Sequence, residues 1–118
     1  MANTIQNESI LDSIKKLLGI NSDVEVFDQD IIIHINTIFS NLNQMGVGPS
    51  NGYFITDKSN TWEEFGGEDF PFLNNVKSYV YLKTKLLFDP PQSTTLLEAI
   101  NSQIKELEWR MYIYKGGY

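Results

Sequence analysis

The stretch from Leu73 to Pro91, LNNVKSYVYLKTKLLFDPP, limits the possible folds of this chain more than any other part of it. On a helix, its apolar residues share one broad face, made of Leu73, Val76, Tyr79, Val80, Leu82, Leu86 and Leu87. Pro90 and Pro91 end the helix, because neither offers an N–H and Pro90 biases Asp89 out of the helical region. So wide an apolar arc is typical of a central helix, and we expect residues 73–88 to form the core.

Composition predicts one globular domain spanning residues 1–118, because the chain is 42% hydrophobic and 13% aromatic. We expect residues 1–7 and 115–118 to be flexible tails or interface tails. No segment resembles a signal peptide or approaches the roughly 20 apolar residues that a membrane span requires. The absence of cysteine excludes disulfides and thiol catalysis. These features favour a soluble protein made in a cytoplasm.

Three further segments have helical periodicity. The first runs over residues 8–18, and Gly19 supplies the expected C-terminal stop. The second runs over residues 28–45, with Asp28 as its N-cap. The last runs from a capping-box pattern at Thr95 to about Tyr114.

Residues 46–70 form a long excursion between the second helix and the central helix. Residues 53–56 read as a short strand, and its partner in a small hairpin lies around Val47 or near Thr61. Thr61 and Glu64 fit a capping box for a brief helical turn. The predicted fold class is therefore mainly α, a small bundle of about four helices with a long loop that carries a minor β-hairpin.

No segment predicts a catalytic, cofactor or metal site. The carboxylates of residues 21–30 lack the glycine and the closing glutamate of a calcium loop. His34, the sole histidine, has no identifiable catalytic partner, and the carboxylates of residues 63–69 have no predictable pocket around them. A net charge of −6 argues against non-specific nucleic-acid binding, which requires a basic stripe.

Two side chains of the last helix, Trp109 and Ile113, lie away from its main apolar stripe. We expect them to contact a neighbouring subunit or another protein, together with Tyr114, Tyr118 and the rest of the aromatic C-terminal tail. The alternative is that the loop of residues 46–70 folds back over this face within the same chain.

Ile33 and Lys83 are two further candidates for a subunit interface. Ile33 points away from the apolar face of the second helix, where another subunit can contact it. Lys83 falls near the middle of the central apolar arc. Either its stem packs on apolar neighbours while the ammonium reaches solvent, or the ammonium forms an ion pair with a neighbouring helix or subunit.

Several strings carry a family resemblance that covers roughly residues 8–112. These are a helix ending in LLGI, the string NQMGVGP, the string VKSYVYLKTKLLFDPP and the closing helix with EWRM. In this order they resemble the head–tail connector proteins of tailed bacteriophages and prophages, also called head-completion or adaptor proteins. No catalytic chemistry attaches to these strings.

The resemblance implies a helical protein that forms a ring of copies, usually twelve, under the portal, with a lumen through which DNA passes. The implied partners are other copies of the chain, the portal protein and a tail-side connector or tail terminator, with no membrane and no cofactor. The implied location is the neck of the virion, and the host cytoplasm during assembly. The implied contact sites are the C-terminal segment and the long loop, in which we select Val47, Tyr53, Phe54, Trp62 and Phe65.

We therefore expect a structural virion protein and not an enzyme. The first rival is another neck or tail-completion protein of the same particle. The second is a small cytoplasmic helix-turn-helix regulator, although the best-patterned helices carry too few Lys and Arg on one face for DNA recognition. The third rival, an enzyme, requires a cleft that joins His34 to carboxylates.

Overall fold

The structure, a computed structural model, describes residues 8–66 and 72–114, with the backbone alone described for residue 114. These residues form five helices: α1 (Ile10–Leu18), α2 (Asp28–Gln44), α3 (Trp62–Gly66), α4 (Leu73–Phe88) and α5 (Thr94–Tyr114). The prediction of a mainly helical fold is confirmed, and the short α3 is the brief helical turn expected after Thr61. Within the described residues, no helix combines the length and the apolar character needed to cross a membrane.

Helix α4 is the centre of the bundle, because α1, α2 and α5 all pack against it. Val76, Val80 and Thr84 follow one another at four-residue spacing and are fully buried. Thr84 belongs to this buried line although its polar side chain placed it outside the predicted apolar face. At the other edge of that face, Leu87 is exposed. The central position of the helix is as predicted. Its buried face is rotated slightly from the predicted apolar face, toward Thr84 and away from Leu87.

The ends of α1 follow local rules. The hydroxyl of Ser9 accepts a hydrogen bond from the backbone N–H of Asp12 at 3.1 Å. Gly19 ends the helix with a φ of 84°, and the next N–H donates to the carbonyl of Lys15 at 2.8 Å. The predicted stop at Gly19 is therefore confirmed, and the helix begins at Ile10, two residues later than expected.

Two predicted N-caps are wrong. Helix α2 begins at Asp28 itself and has no side-chain cap, because the carboxylate of Asp28 pairs with Lys15 instead. Helix α5 is capped by Ser93 and not by Thr95, since the hydroxyl of Ser93 accepts from the N–H of Leu96 at 3.2 Å. Residues 93–95 are all hydroxyl residues, so local sequence alone does not choose among them.

The predicted β-hairpin is absent from the described residues, which contain only an isolated bridge between Ser9 and Thr61. The side chain of Asn36 on α2 takes the place of a partner strand. Its Oδ1 accepts from the N–H of Ile55 at 2.8 Å, and its Nδ2 donates to the carbonyl of Ile55 at 3.0 Å. The backbone N–H and C=O of Ile55 are thus satisfied without a ladder.

Aromatic side chains fix the loop of residues 46–66 onto α2. The ring of Phe39 lies 5.0 Å from Phe65, 5.5 Å from Tyr53 and 6.3 Å from Trp62, measured between ring centroids. Gly48 has a φ of +95°, and a Cβ at this position would lie 2.6 Å from the Phe65 ring. Buried side chains therefore anchor the loop in the core, namely Val47, Ile55, Trp62 and Phe65.

Candidate interaction surfaces

The outer face of α5 carries large side chains that the bundle does not cover. Its inner face packs on α4 through Ile100, Ile104, Leu107 and Met111, all of which are buried. On the outer face, Trp109 is 59% exposed and Ile113 is 51% exposed. Tyr112 stacks on Trp109, with the ring centroids 5.6 Å apart. The predicted division of α5 into two apolar faces is present in the structure, and its contact with a partner stays a prediction.

A groove of about 480 Å³ runs beside these residues. We call it the α5 groove; its lining consists of Phe72, Glu106, Trp109, Arg110 and Ile113. The guanidinium of Arg110 lies 2.8 Å from the carboxylate of Glu106, and both side chains are more than half exposed. The groove thus has an apolar floor and one ion-paired edge.

A hydrogen bond between α4 and α5 fixes the rotation that leaves this face outside. The hydroxyl of Tyr79 donates to the carboxylate of Glu108 at 3.0 Å. Burial, together with the neighbouring Glu108, raises the pKa of the Tyr79 phenol well above its ordinary value, so the hydroxyl keeps its proton and donates at every physiological pH. Trp109 follows Glu108 by one residue, about 100° further round α5, and is exposed there.

The described part of the long loop does not cover the α5 groove. Residues 46–66 pack against α1 and α2, through Ser13, Asn36 and Phe39. The alternative that the long loop folds back over Trp109 and Ile113 also involves residues 67–70, which lie outside the described residues. Tyr118 and the two predicted tails lie outside them as well. The side chain of Tyr114 is also outside the description.

The long loop turns most of its predicted contact residues inward. Val47, Trp62 and Phe65 are buried, so in this structure they hold the loop on the core. Tyr53 is half-buried and donates to the carboxylate of Glu64 at 2.8 Å. Phe54 is 57% exposed and is the large apolar side chain that this set presents to solvent.

Ile33 and Lys83 lie at the surface on different helices. Ile33 is exposed on α2. Lys83 is half-buried, with its Nζ 5.6 Å from the centroid of the Tyr79 ring, and it forms no ion pair with a described carboxylate. The packed stem of the first alternative for Lys83 agrees with this contact, and an ion pair with another subunit stays a prediction.

The sequence interpretation missed an apolar patch between α1 and α2. Val24, Val26 and Phe27, here called the connector patch, are 40%, 78% and 40% exposed. The rings of Phe27 and Phe88, the last residue of α4, pack edge-to-face with a centroid distance of 5.5 Å. The sequence feature that indicates this patch is the string DVEVF, in which apolar residues alternate with carboxylates.

A buried lysine holds the segment of the connector patch in place. Lys15 is completely buried, and its Nζ lies 2.8 Å from the carboxylate of Asp28 and 3.1 Å from the carbonyl of Ser22. These two contacts fix both ends of residues 22–28 to α1. The patch is therefore exposed on an anchored segment.

The described residues contain no group of three or more His, Cys, Asp or Glu side chains arranged to hold a metal ion. His34 is half-buried on α2. The surfaces described above instead offer apolar area with charged edges, which is the chemistry of protein–protein contact.

A comparison with protein families gives a match over most of the chain. The model of a family described as phage connector protein matches residues 10–117, which is most of the chain. No curated protein and no solved structure matches the chain significantly.

Proposed function

This chain belongs to the phage connector protein family, and on that premise we propose that it is a structural protein of the virion neck. It forms a ring of copies, twelve by the family resemblance, that joins the portal of the head to the tail. DNA passes through the lumen of this ring. Its partners are other copies of itself, the portal protein and a tail-side connector or tail terminator.

The observation that carries this proposal is the uncovered face of α5. A monomeric chain of 118 residues rarely leaves a tryptophan, an isoleucine and a stacked tyrosine together in solvent. Trp109 and Tyr112 are of the residue types that dominate binding energy at protein interfaces. The face is also fixed by the Tyr79–Glu108 hydrogen bond, so binding to it costs little ordering.

The charge of the chain supports a role as a passage for DNA and not as a reader of it. Acidic residues outnumber basic residues by 15 to 9, so the chain as a whole repels phosphate. A lumen wall that does not bind DNA lets it pass. The chain acts as a non-catalytic component in this proposal.

Deleting the gene from the phage genome tests the role directly. We expect negative-stain images to show DNA-filled heads that lack tails, and complementation with the wild-type chain to restore tailed particles. Tails attached normally in the deletion strain would rule out the connector role.

A double variant then tests whether the α5 face carries that role. With Trp109→Ala and Ile113→Ala combined, we expect the melting temperature and helicity of the isolated chain to stay near wild type while complementation fails. The matched control is Leu96→Ala, which removes an exposed apolar side chain from the same helix far from the groove. A large loss of monomer stability in the double variant would show instead that the face belongs to the core of the chain.

A further inference from the structure

Resting on the proposed function, we infer which two surfaces join neighbouring copies of the ring. The connector patch of one copy, Val24, Val26 and Phe27, binds in the α5 groove of the next copy. The contact is head-to-tail, because it pairs two different surfaces of the same chain.

The two surfaces cannot meet within one chain. Phe27 contacts Phe88 at the last residue of α4, whereas Phe72, which lines the α5 groove, immediately precedes its first residue. Helix α4 has 16 residues, so these ends lie about 24 Å apart at roughly 1.5 Å per residue. Both surfaces belong to anchored elements, so neither can travel that distance. A second copy brings an identical connector patch within reach of the groove.

The charges of the two surfaces are complementary. Asp23 and Glu25 alternate with the apolar residues of the connector patch, and both are exposed and form no ion pair with a described basic residue. Lys105 lies one turn before Trp109 on the same exposed face of α5. Arg110, at the edge of the groove, pairs among the described residues with Glu106, and such a solvent-exposed pair is readily exchanged for another carboxylate.

The contact between the connector patch and the α5 groove also accounts for the assembly of copies into a ring. Two different surfaces at opposite ends of α4 form a heterologous interface, which propagates from copy to copy and closes when the rotation between copies permits. A contact of the α5 groove with itself would be two-fold symmetric and would stop at a dimer. It would also leave Val26, the most exposed of the large apolar side chains described, in solvent.

Cross-linking in the full chain tests the inference, because the sequence has no cysteine to interfere. The variants are Val26→Cys, Ile113→Cys and the two combined, each at an exposed position. They are treated at millimolar concentration with a short bis-maleimide. We expect a ladder of oligomers from the combined variant, dimers from an equimolar mixture of the single variants, and only monomer from each single variant alone.

Two results would overturn the inference. If Ile113→Cys alone gives a cross-linked dimer as readily as the mixture, the α5 groove binds itself. If the combined variant gives no ladder, the two surfaces do not meet. Adding Trp109→Asp to the combined variant is the specificity check, because a charge in the groove must abolish the ladder if the contact is apolar. Circular dichroism of each variant confirms that it is folded.

Failure of the inference is distinguishable from failure of the proposed function. Purified virions are analysed by mass spectrometry for this chain. Virions that contain the chain, together with no ladder from the combined variant, leave the neck role in place and reject the contact between copies. Virions that lack the chain reject the neck role whatever the cross-linking shows.

Discussion

The indole N–H of Trp62 donates a hydrogen bond of 2.9 Å to the hydroxyl of Ser13, although the two residues lie 49 positions apart. The hydroxyl of Ser13 in turn donates to the carbonyl of Ile10 at 2.9 Å. Trp62 and Ser13 are both buried. This pair ties the loop of residues 46–66 to α1.

We predict that Ser13→Ala destabilises the chain by about 1–3 kcal/mol, because the indole N–H then has no partner in a buried place. Urea unfolding followed by circular dichroism measures the difference. The control is Thr37→Ala, which removes an exposed hydroxyl that donates to the carbonyl of Ile33, and which we expect to change the free energy of unfolding by less than about 0.5 kcal/mol. Equal midpoints for Ser13→Ala and wild type would contradict the role of the hydrogen bond.

We predict that Lys15→Met destabilises the chain by about 1–3 kcal/mol, because it leaves the carboxylate of Asp28 unpaired. The loss is smaller than the roughly 3–5 kcal/mol for breaking a fully buried pair, because the Asp28 carboxylate is partly exposed. The double variant Lys15→Met with Asp28→Asn recovers most of this loss, since no unpaired charge is left. Thermal melts of the single and double variants measure both effects. A double variant as unstable as Lys15→Met alone would show that the loss comes from packing and not from charge.

A charge at the centre of α4 is expected to unfold the chain. Val80→Asp places a carboxylate at a fully buried position, and its desolvation costs several kcal/mol, a large share of the stability of a small domain. Leu87→Asp, seven residues later on the same helix but exposed, is expected to leave the fold intact. Circular-dichroism melts that were identical for the two variants would refute the central position of α4.

Acid is expected to weaken the contacts of the long loop through Glu64. The hydrogen bond from Tyr53 is the main cause that holds the pKa of Glu64 below its ordinary value of 4.5, followed by those from Asn60 and the Thr61 N–H. A lowered pKa in the folded chain means that the stabilisation is present above pH 4.5 and is lost as the pH falls through the lowered pKa.

The variant Glu64→Gln measures this contribution, because it cannot ionise. Wild type should exceed it in stability at pH 7 by less than about 1 kcal/mol, since solvent screens the exposed carboxylate, and the difference should vanish in acid. Glu63→Gln removes the same charge one residue earlier in α3 and is the charge-matched control. A difference that grows on acidification would have the wrong sign for this argument.

The isolated chain is expected to bind duplex DNA weakly or not at all. Its net charge of −6 repels phosphates, and few cations are available to release counterions from the duplex. Fluorescence anisotropy with a labelled duplex at low salt measures the binding. Tight binding that weakens steeply with added salt would favour the rival interpretation as a DNA-binding regulator.

The sequence by itself determined the features that depend on residues a few positions apart. The apolar period of residues 73–88 determined the central helix, and Gly19 determined the end of α1. The capping box of Thr61 and Glu64 is present as predicted, since each residue accepts from the N–H of the other. The division of α5 into two apolar faces follows from helical spacing in the same way.

Tertiary structure alone decided which distant groups meet. Asn36, 19 positions away, satisfies the backbone N–H and C=O of Ile55, so Ile55 needs no partner strand. Asp28 pairs with Lys15 and does not cap α2, because a buried lysine requires a carboxylate partner. Such pairings depend on how the helices approach one another, and helical period and turn chemistry carry no information about that approach. The same reason left the connector patch unrecognised, because exposure is a property of the packed chain.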